Sequence, residues 1–190
     1  MKQMRLWGLV LLVAWVSPAR AANIVTNPGF ESGLAAPWFY IFWGLDSDAH
    51  SGTLAATTSC SGPCNLFQDL TTVSGQKYDL SFWFKSDGGP TGGGGDLTVS
   101  WDGAAVLSLT NIVGGYTQYT VPGLVAGASP DQLGFAAGSN GATLHLDDVV
   151  VDGHAIPEPS TMLLLLGGTS LVIAAAQLAS GVTASKRIRG

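Results

Sequence analysis

The residues best placed to do chemistry in this chain are aromatic and acidic. Recognition of a sugar needs an exposed flat ring flanked by hydrogen-bonding side chains. Trp83 is the leading candidate, because in the run Tyr78–Lys85 it shares a strand face with Asp79, Ser81 and Lys85. Trp43, Trp38, Tyr40 and Tyr116 are secondary candidates. Trp101 lies in phase with Leu97 and Val99 and reads as core. Sandwich proteins also bury tryptophan, so packing is the alternative for each ring. Hydrolysis of a glycoside needs two carboxyls about 5 Å apart with one held protonated. No second carboxylate in an apolar setting is visible for that role. His50, His145 and His154 have no metal-ligand spacing, with His145 reading as a packed or surface residue, and no serine sits in a nucleophile elbow. No catalytic residue is expected.

Both cysteines lie in Cys60-Ser61-Gly62-Pro63-Cys64. Gly-Pro between them favours a tight turn, and a disulfide there would clip one loop while constraining little of the unfolded chain. Two sulfurs without neighbouring Cys or His do not make a zinc site. The charge is uneven. The whole chain of 190 residues carries −5, with 8 basic and 13 acidic residues. Between Asn23 and Ile156 only Lys77 and Lys85 face twelve acidic residues, which leaves −10. Such a surface repels a phosphate backbone, so nucleic acid is excluded, and neutral polysaccharide or divalent cations fit better.

The elements that position these residues are strands. Gly and Pro punctuate the middle of the chain closely, and short runs rich in Val, Thr, Leu and aromatics alternate with turn residues. Strands are predicted at Trp38–Trp43, Leu54–Thr58, Asn65–Leu70, Tyr78–Lys85, Asp96–Trp101, Ala105–Leu109, Thr117–Val121, Gln132–Ala137 and Thr143–Val151. This is an all-β, two-sheet, jelly-roll-like sandwich over 23–153. In the last strand Leu144 and Leu146 point one way, while Val149 and Val151 fall in the opposite phase. A β-bulge at Asp147-Asp148 would bury all four and redirect an aspartate. The run Asp87–Gly95 is too glycine-rich for a strand and lacks the lysine and following helix of a phosphate cradle.

The ends of the chain read as addresses. Residues 1–22 carry Lys2 and Arg5, an apolar segment Leu6–Val16 and Ala19-Arg20-Ala21, the pattern of a cleaved signal peptide. A retained first membrane helix is the alternative, although its apolar core is short. A proline-bearing linker spans 154–161. A mostly apolar run at 162–182 is long enough for one transmembrane helix, and a basic tail at 183–190 holds Lys186, Arg187 and Arg189. A buried hairpin or core helix is the other reading of the apolar run. Pro157-Glu158-Pro159, the hydrophobic segment and the basic end in that order resemble the PEP-CTERM sorting signal of exported proteins in Gram-negative bacteria. The resemblance implies export, an inner-membrane-anchored precursor, handling by exosortase at Pro157, Glu158 and Pro159, and residence at the cell surface or in the extracellular matrix. The basic end would stay cytoplasmic.

Asn27-Pro28-Gly29-Phe30-Glu31 near the start, with Leu146-Asp147-Asp148-Val149 near the end, resembles the CenC-like, galactose-binding-like carbohydrate modules. That resemblance implies one structural calcium ion joining the first and last segments. Its matching ligands are Glu31 and Asp147, with carbonyls around 50–52 completing the shell and Asp148 in reserve. Calcium takes six to eight oxygens, and carboxylates from both ends of a chain would tie the sandwich together. Glu31 can alternatively accept backbone N–H bonds in a turn, and Asp147 can cap a loop. The expected function is a non-catalytic, exported protein that binds or embeds in extracellular polysaccharide. The competing reading is a structural matrix or biofilm protein without a sugar site.

Overall fold

A computed structural model describes residues 22–89 and 93–154. Residues 1–21 of the expected signal segment lie outside the described residues. So do Pro157, Glu158, Pro159, the apolar run 162–182 and the basic tail. Among the described residues no helix is long and apolar enough to cross a membrane.

Among the described residues ten strands form: β1 (Trp38–Tyr40), β2 (Gly44–Asp46), β3 (Ala55–Thr58), β4 (Cys64–Leu70), β5 (Lys77–Ser86), β6 (Gly95–Trp101), β7 (Ala104–Ile112), β8 (Gly114–Val125), β9 (Asp131–Ser139) and β10 (Leu144–Gly153). They make two five-stranded sheets, ordered β1-β4-β9-β6-β7 and β2-β3-β10-β5-β8. Every pairing is antiparallel. The expected jelly-roll-like sandwich is the architecture observed.

Side-chain alternation explains why the sheets close on each other. Along β5, Tyr78, Leu80, Phe82 and Phe84 are buried, while Asp79, Ser81, Trp83 and Lys85 take the other face. Phe82 meets Phe135 of the opposite sheet edge-on at 5.3 Å, an arrangement aromatic pairs favour. Trp38 packs on Phe30 at 5.3 Å and on Phe135 at 6.5 Å. Trp101 stacks on Tyr78 inside the sandwich, as its phase predicts.

Two features set the geometry of the outer faces. The bulge in β10 is present: Asp147 lies opposite Trp83 and Val150 opposite Ser81, so one extra residue is accommodated. Asp148 adopts a left-handed backbone, φ 49°, and Leu144, Leu146, Val149 and Val151 are all buried. The other feature departs from expectation. The run Trp38–Trp43 is not one strand: β1 belongs to the first sheet and β2 to the second. The chain crosses between sheets at Phe42, whose φ of 60° breaks the extended conformation.

The start of the described chain is pinned to its end. Ile24 N–H donates to Val151 O at 3.0 Å, Val151 N–H donates to Asn23 Oδ1 at 2.9 Å, and Asn23 Nδ2 donates to Val149 O at 3.0 Å.

Candidate functional site

The outer face of the β2-β3-β10-β5-β8 sheet carries Trp83, Asp79, Lys85 and Asp147, and residues 46–54 cross over much of it. The His50 imidazole stacks on the Trp83 ring at 3.7 Å and 13°. One face of the ring is therefore covered. His50 Nδ1 lies 2.7 Å from Asp148 Oδ2, and Ser51 Oγ donates to Asp148 Oδ1 at 2.7 Å. Lys85 Nζ bonds Asp48 and reaches Asp87 at 2.9 Å. Burial pulls the Lys85 ammonium down, but these two carboxylates outweigh it and hold it above its usual value. Asp87 is displaced oppositely: burial raises it, and Lys85 and His145 bring it below the usual range. Tyr116 donates its hydroxyl to Asp48 O at 2.6 Å. Its phenol is pushed far up, first by burial and then by the surrounding aspartates.

His145 is buried on this face, with Asp46 and Asp87 carboxylates 3.3 and 3.0 Å from its two ring nitrogens. Asp48, Asp87 and His145 bring ligand-type atoms within 4.8 Å of one another, a set that could hold a metal ion. The Lys85 ammonium already bonds both of those carboxylates.

Glu31 and Asp147 converge on one turn from the two ends of the chain. Glu31 accepts from Thr53 N at 2.8 Å, Thr53 Oγ1 at 2.7 Å and Leu54 N at 2.9 Å. These bonds, the Thr53 hydroxyl foremost, hold its carboxyl below the usual value. Asp147 is fully buried and accepts from His50 N at 2.8 Å, Ser51 N at 3.0 Å and Asp148 N at 2.8 Å. Burial raises its carboxyl against the pull of those amides. A carboxylate offers about four acceptor positions, so each keeps about one after these bonds. Beside Gly29, a Cβ would lie 3.5 Å from both Asp147 Oδ1 and Asp148 Oδ1, so two carboxylate oxygens face a space that the glycine leaves open. The donor set suits a hard cation in kind.

The remaining expected residues sit elsewhere. Trp43 is buried and its indole N–H donates to Cys64 O at 3.0 Å. Trp38 is buried likewise, donating to Asn27 O at 3.1 Å. Asp79 accepts from Gly123 N at 2.8 Å and lies 2.9 Å from His154 Nε2. The Cα atoms of Cys60 and Cys64 stand 6.5 Å apart, inside the span a disulfide bridges.

The opposite sheet carries the feature that sequence reasoning missed. A groove of about 240 Å3 crosses its outer face, with Ser100 of β6, Gln132, Gly134 and Ala136 of β9, Asn65 and Phe67 of β4, and Ile41 beyond β1 in its lining. No charged side chain lines it. Its floor is low where β9 presents Gly134 and Ala136: a Cβ on Gly134 would come within 2.6 Å of Ser100 Oγ. Phe39 stacks on Phe67 at 5.4 Å and 16° along one wall. Phe39, Tyr40 and Ile41 are about half exposed and Phe42 is 77% exposed. Four consecutive large apolar residues are therefore exposed in one segment beside the groove. The available signal was the unbroken run Phe39-Tyr40-Ile41-Phe42, which lacks the polar alternation of a half-buried strand.

No protein-family model matches the chain, and no curated protein matches it in sequence. Solved structures do match in fold. A family 61 carbohydrate-binding module in complex with β-1,4-galactotriose is 22% identical with a TM-score of 0.54, over 68% of this chain and 97% of that one. The CBM22-1 xylan-binding domain from Paenibacillus barcinonensis Xyn10C is 16% identical with a TM-score of 0.54, over 73% and 99%. The K3 cleaved adhesin domain of Lys-gingipain from Porphyromonas gingivalis is 17% identical with a TM-score of 0.53, over 70% and 99%. At these identities the likeness is one of fold, that of the carbohydrate-binding jelly rolls.

Proposed function

We propose that this is an exported, non-catalytic surface protein that binds neutral extracellular polysaccharide through the groove on the β1-β4-β9-β6-β7 sheet. The observation that carries the reading is an uncharged groove walled by Phe67 and Ile41 on a domain of charge −10. Aromatic and aliphatic walls take the apolar faces of sugar rings, while Asn65, Ser100 and Gln132 offer hydrogen bonds to hydroxyls. The fold likeness to modules described as holding β-1,4-galactotriose or binding xylan supports the same class of ligand. This reading moves the sugar from Trp83, which His50 covers, to the opposite sheet. Titration of the protein with β-1,4-galactan and xylan tests it. Retention of either, lost in Phe67→Ala with an unchanged melting temperature, is the expected result. No retention of any neutral glycan favours the structural matrix reading, which the exposed apolar run at Phe39–Phe42 also fits.

Export and exosortase sorting through Pro157, Glu158 and Pro159 belong to this proposal, as does an inner-membrane stage before release to the matrix. Cys60 and Cys64 are read as bridged in that oxidising setting. Glu31 and Asp147 are read as holding one calcium ion, which would tie the first and last segments together, with Asp148 in reserve. Melting the protein with calcium and with chelator decides that point. A higher midpoint with calcium supports it, and equal midpoints leave the pair as turn acceptors alone.

A further inference from the structure

Beside the groove lies a second hollow, of about 330 Å3, lined by Phe42, Cys60, Ser61, Gly62, Pro63 and Cys64. The two concavities lie near each other: Gly138 follows Ala136 by two positions on β9, and a Cβ on it would lie 3.6 Å from Gly62 O in the lining of the hollow. Cys64 lines one and Asn65 the other; Phe42 lines one and Ile41 the other. Ile41 N–H donates to Asn65 O at 2.7 Å, so the two segments that run from one lining into the other are tied together.

Phe42 is the odd residue in this wall. Its ring is the most exposed large apolar side chain among the described residues, and its backbone is left-handed at φ 60°. A bulky residue in that region is strained. Burial of the ring does not offset the strain, because the ring is in solvent. The surrounding bonds nonetheless hold the conformation. Thr58 Oγ1, buried, donates to Phe42 O at 2.7 Å, and the Trp43 indole N–H donates to Cys64 O at 3.0 Å. A solvent-facing ring on a backbone held in this way, with Pro63 in the same lining, suits the stacking of a flat ligand better than folding. Like the groove, the hollow has no charged lining, which excludes an ionic ligand and fits a neutral one.

We propose that the hollow between Phe42 and the Cys60–Cys64 loop is a second sugar subsite, continuous with the groove, so that the protein engages a longer stretch of one neutral polysaccharide chain. The proposal rests on the groove reading. A sugar ring here lies against Phe42 and Pro63, with the Ser61 hydroxyl as a hydrogen-bonding neighbour.

Calorimetric titration of the full-length protein with short and long β-1,4-galacto-oligosaccharides and xylo-oligosaccharides tests it. The wild type is expected to bind the long members more tightly than the short ones. Phe42→Ala should weaken the long members about tenfold, the loss typical of removing one aromatic anchor, and leave the short ones unchanged. Phe42→Trp, which keeps a ring, should restore the gain with length, and Phe67→Ala should weaken both lengths. Equal binding of long members by wild type and Phe42→Ala, with short members still bound, overturns the subsite and leaves the groove standing. Failure of the wild type to bind any length overturns the groove reading and the subsite with it.

Discussion

Asp102 and Asp131 show how single carboxylates shape this acidic molecule. Asp131 is buried, accepts from Gly127 N at 2.7 Å and is bonded by Thr72 Oγ1. The hydrogen bond with Asp131 raises the Asp102 carboxyl; burial raises Asp131, yet bonds from Asp102, Thr72 and Gly127 bring it below its usual value. Asp102 thus contributes stability that is lost as pH rises through its raised value, and Asp131 contributes stability lost as pH falls through its lowered one. At neutral pH two like charges face each other. Asp102→Asn supplies a permanent N–H donor, and its melting temperature should exceed the wild type's at neutral pH, with the gap closing in mild acid. Glu31 behaves as a lowered carboxylate alone. Its contribution is present above the ordinary glutamate range and is lost as pH falls below about 4. Glu31→Gln should melt earlier than wild type at neutral pH and together with it in acid. At this scale the sequence was partly legible. Glu31, Asp147 and the outward phase of Trp83 were visible, but the covering of Trp83 by His50 depends on a contact between residues 33 positions apart, which no local pattern records.

Among the elements, β5 and β10 were the most legible, since β5 alternates strictly and the slip of β10 at Asp147-Asp148 left its phase in the apolar residues. Phe82 is the centre of that alternation, and Phe82→Ala should cost about 3–5 kcal/mol in denaturant unfolding, through a cavity between the sheets. The run Trp38–Trp43 misled because aromatic residues satisfy both a strand and a crossing, and the left-handed turn at Phe42 has no glycine to announce it. β9 carries the opposite lesson. Gly134 and Ala136 look like weak strand residues, yet their small size is what leaves the groove open. Ala136→Leu should fill the groove and abolish glycan retention while the melting temperature moves little.

For the whole molecule, the charge reading survives the fold. With −10 spread over the domain and none of it in the groove lining, uronate-rich polysaccharides should bind at least tenfold more weakly than neutral ones at low salt. Added salt should narrow that gap by screening; a preference for the anionic glycan in affinity electrophoresis would contradict it. The two-sheet architecture was legible because turn residues recur between short apolar runs. Which sheet carries the uncharged groove was not, since the order of strands within a sheet is a property of long-range pairing.

The bonding of Ile24 and Asn23 to β10 carries one more consequence. Because entry and exit of the described chain lie side by side, a short linker joining 23 to 154 would span little distance. New ends opened at the Asp102-Gly103 hairpin, where both residues already sit in a left-handed turn, would interrupt no strand. Such a circular permutant should keep all ten strands and both concavities. The order in which the chain visits the sheets is then a matter of history, and the groove belongs to the closed arrangement of strands.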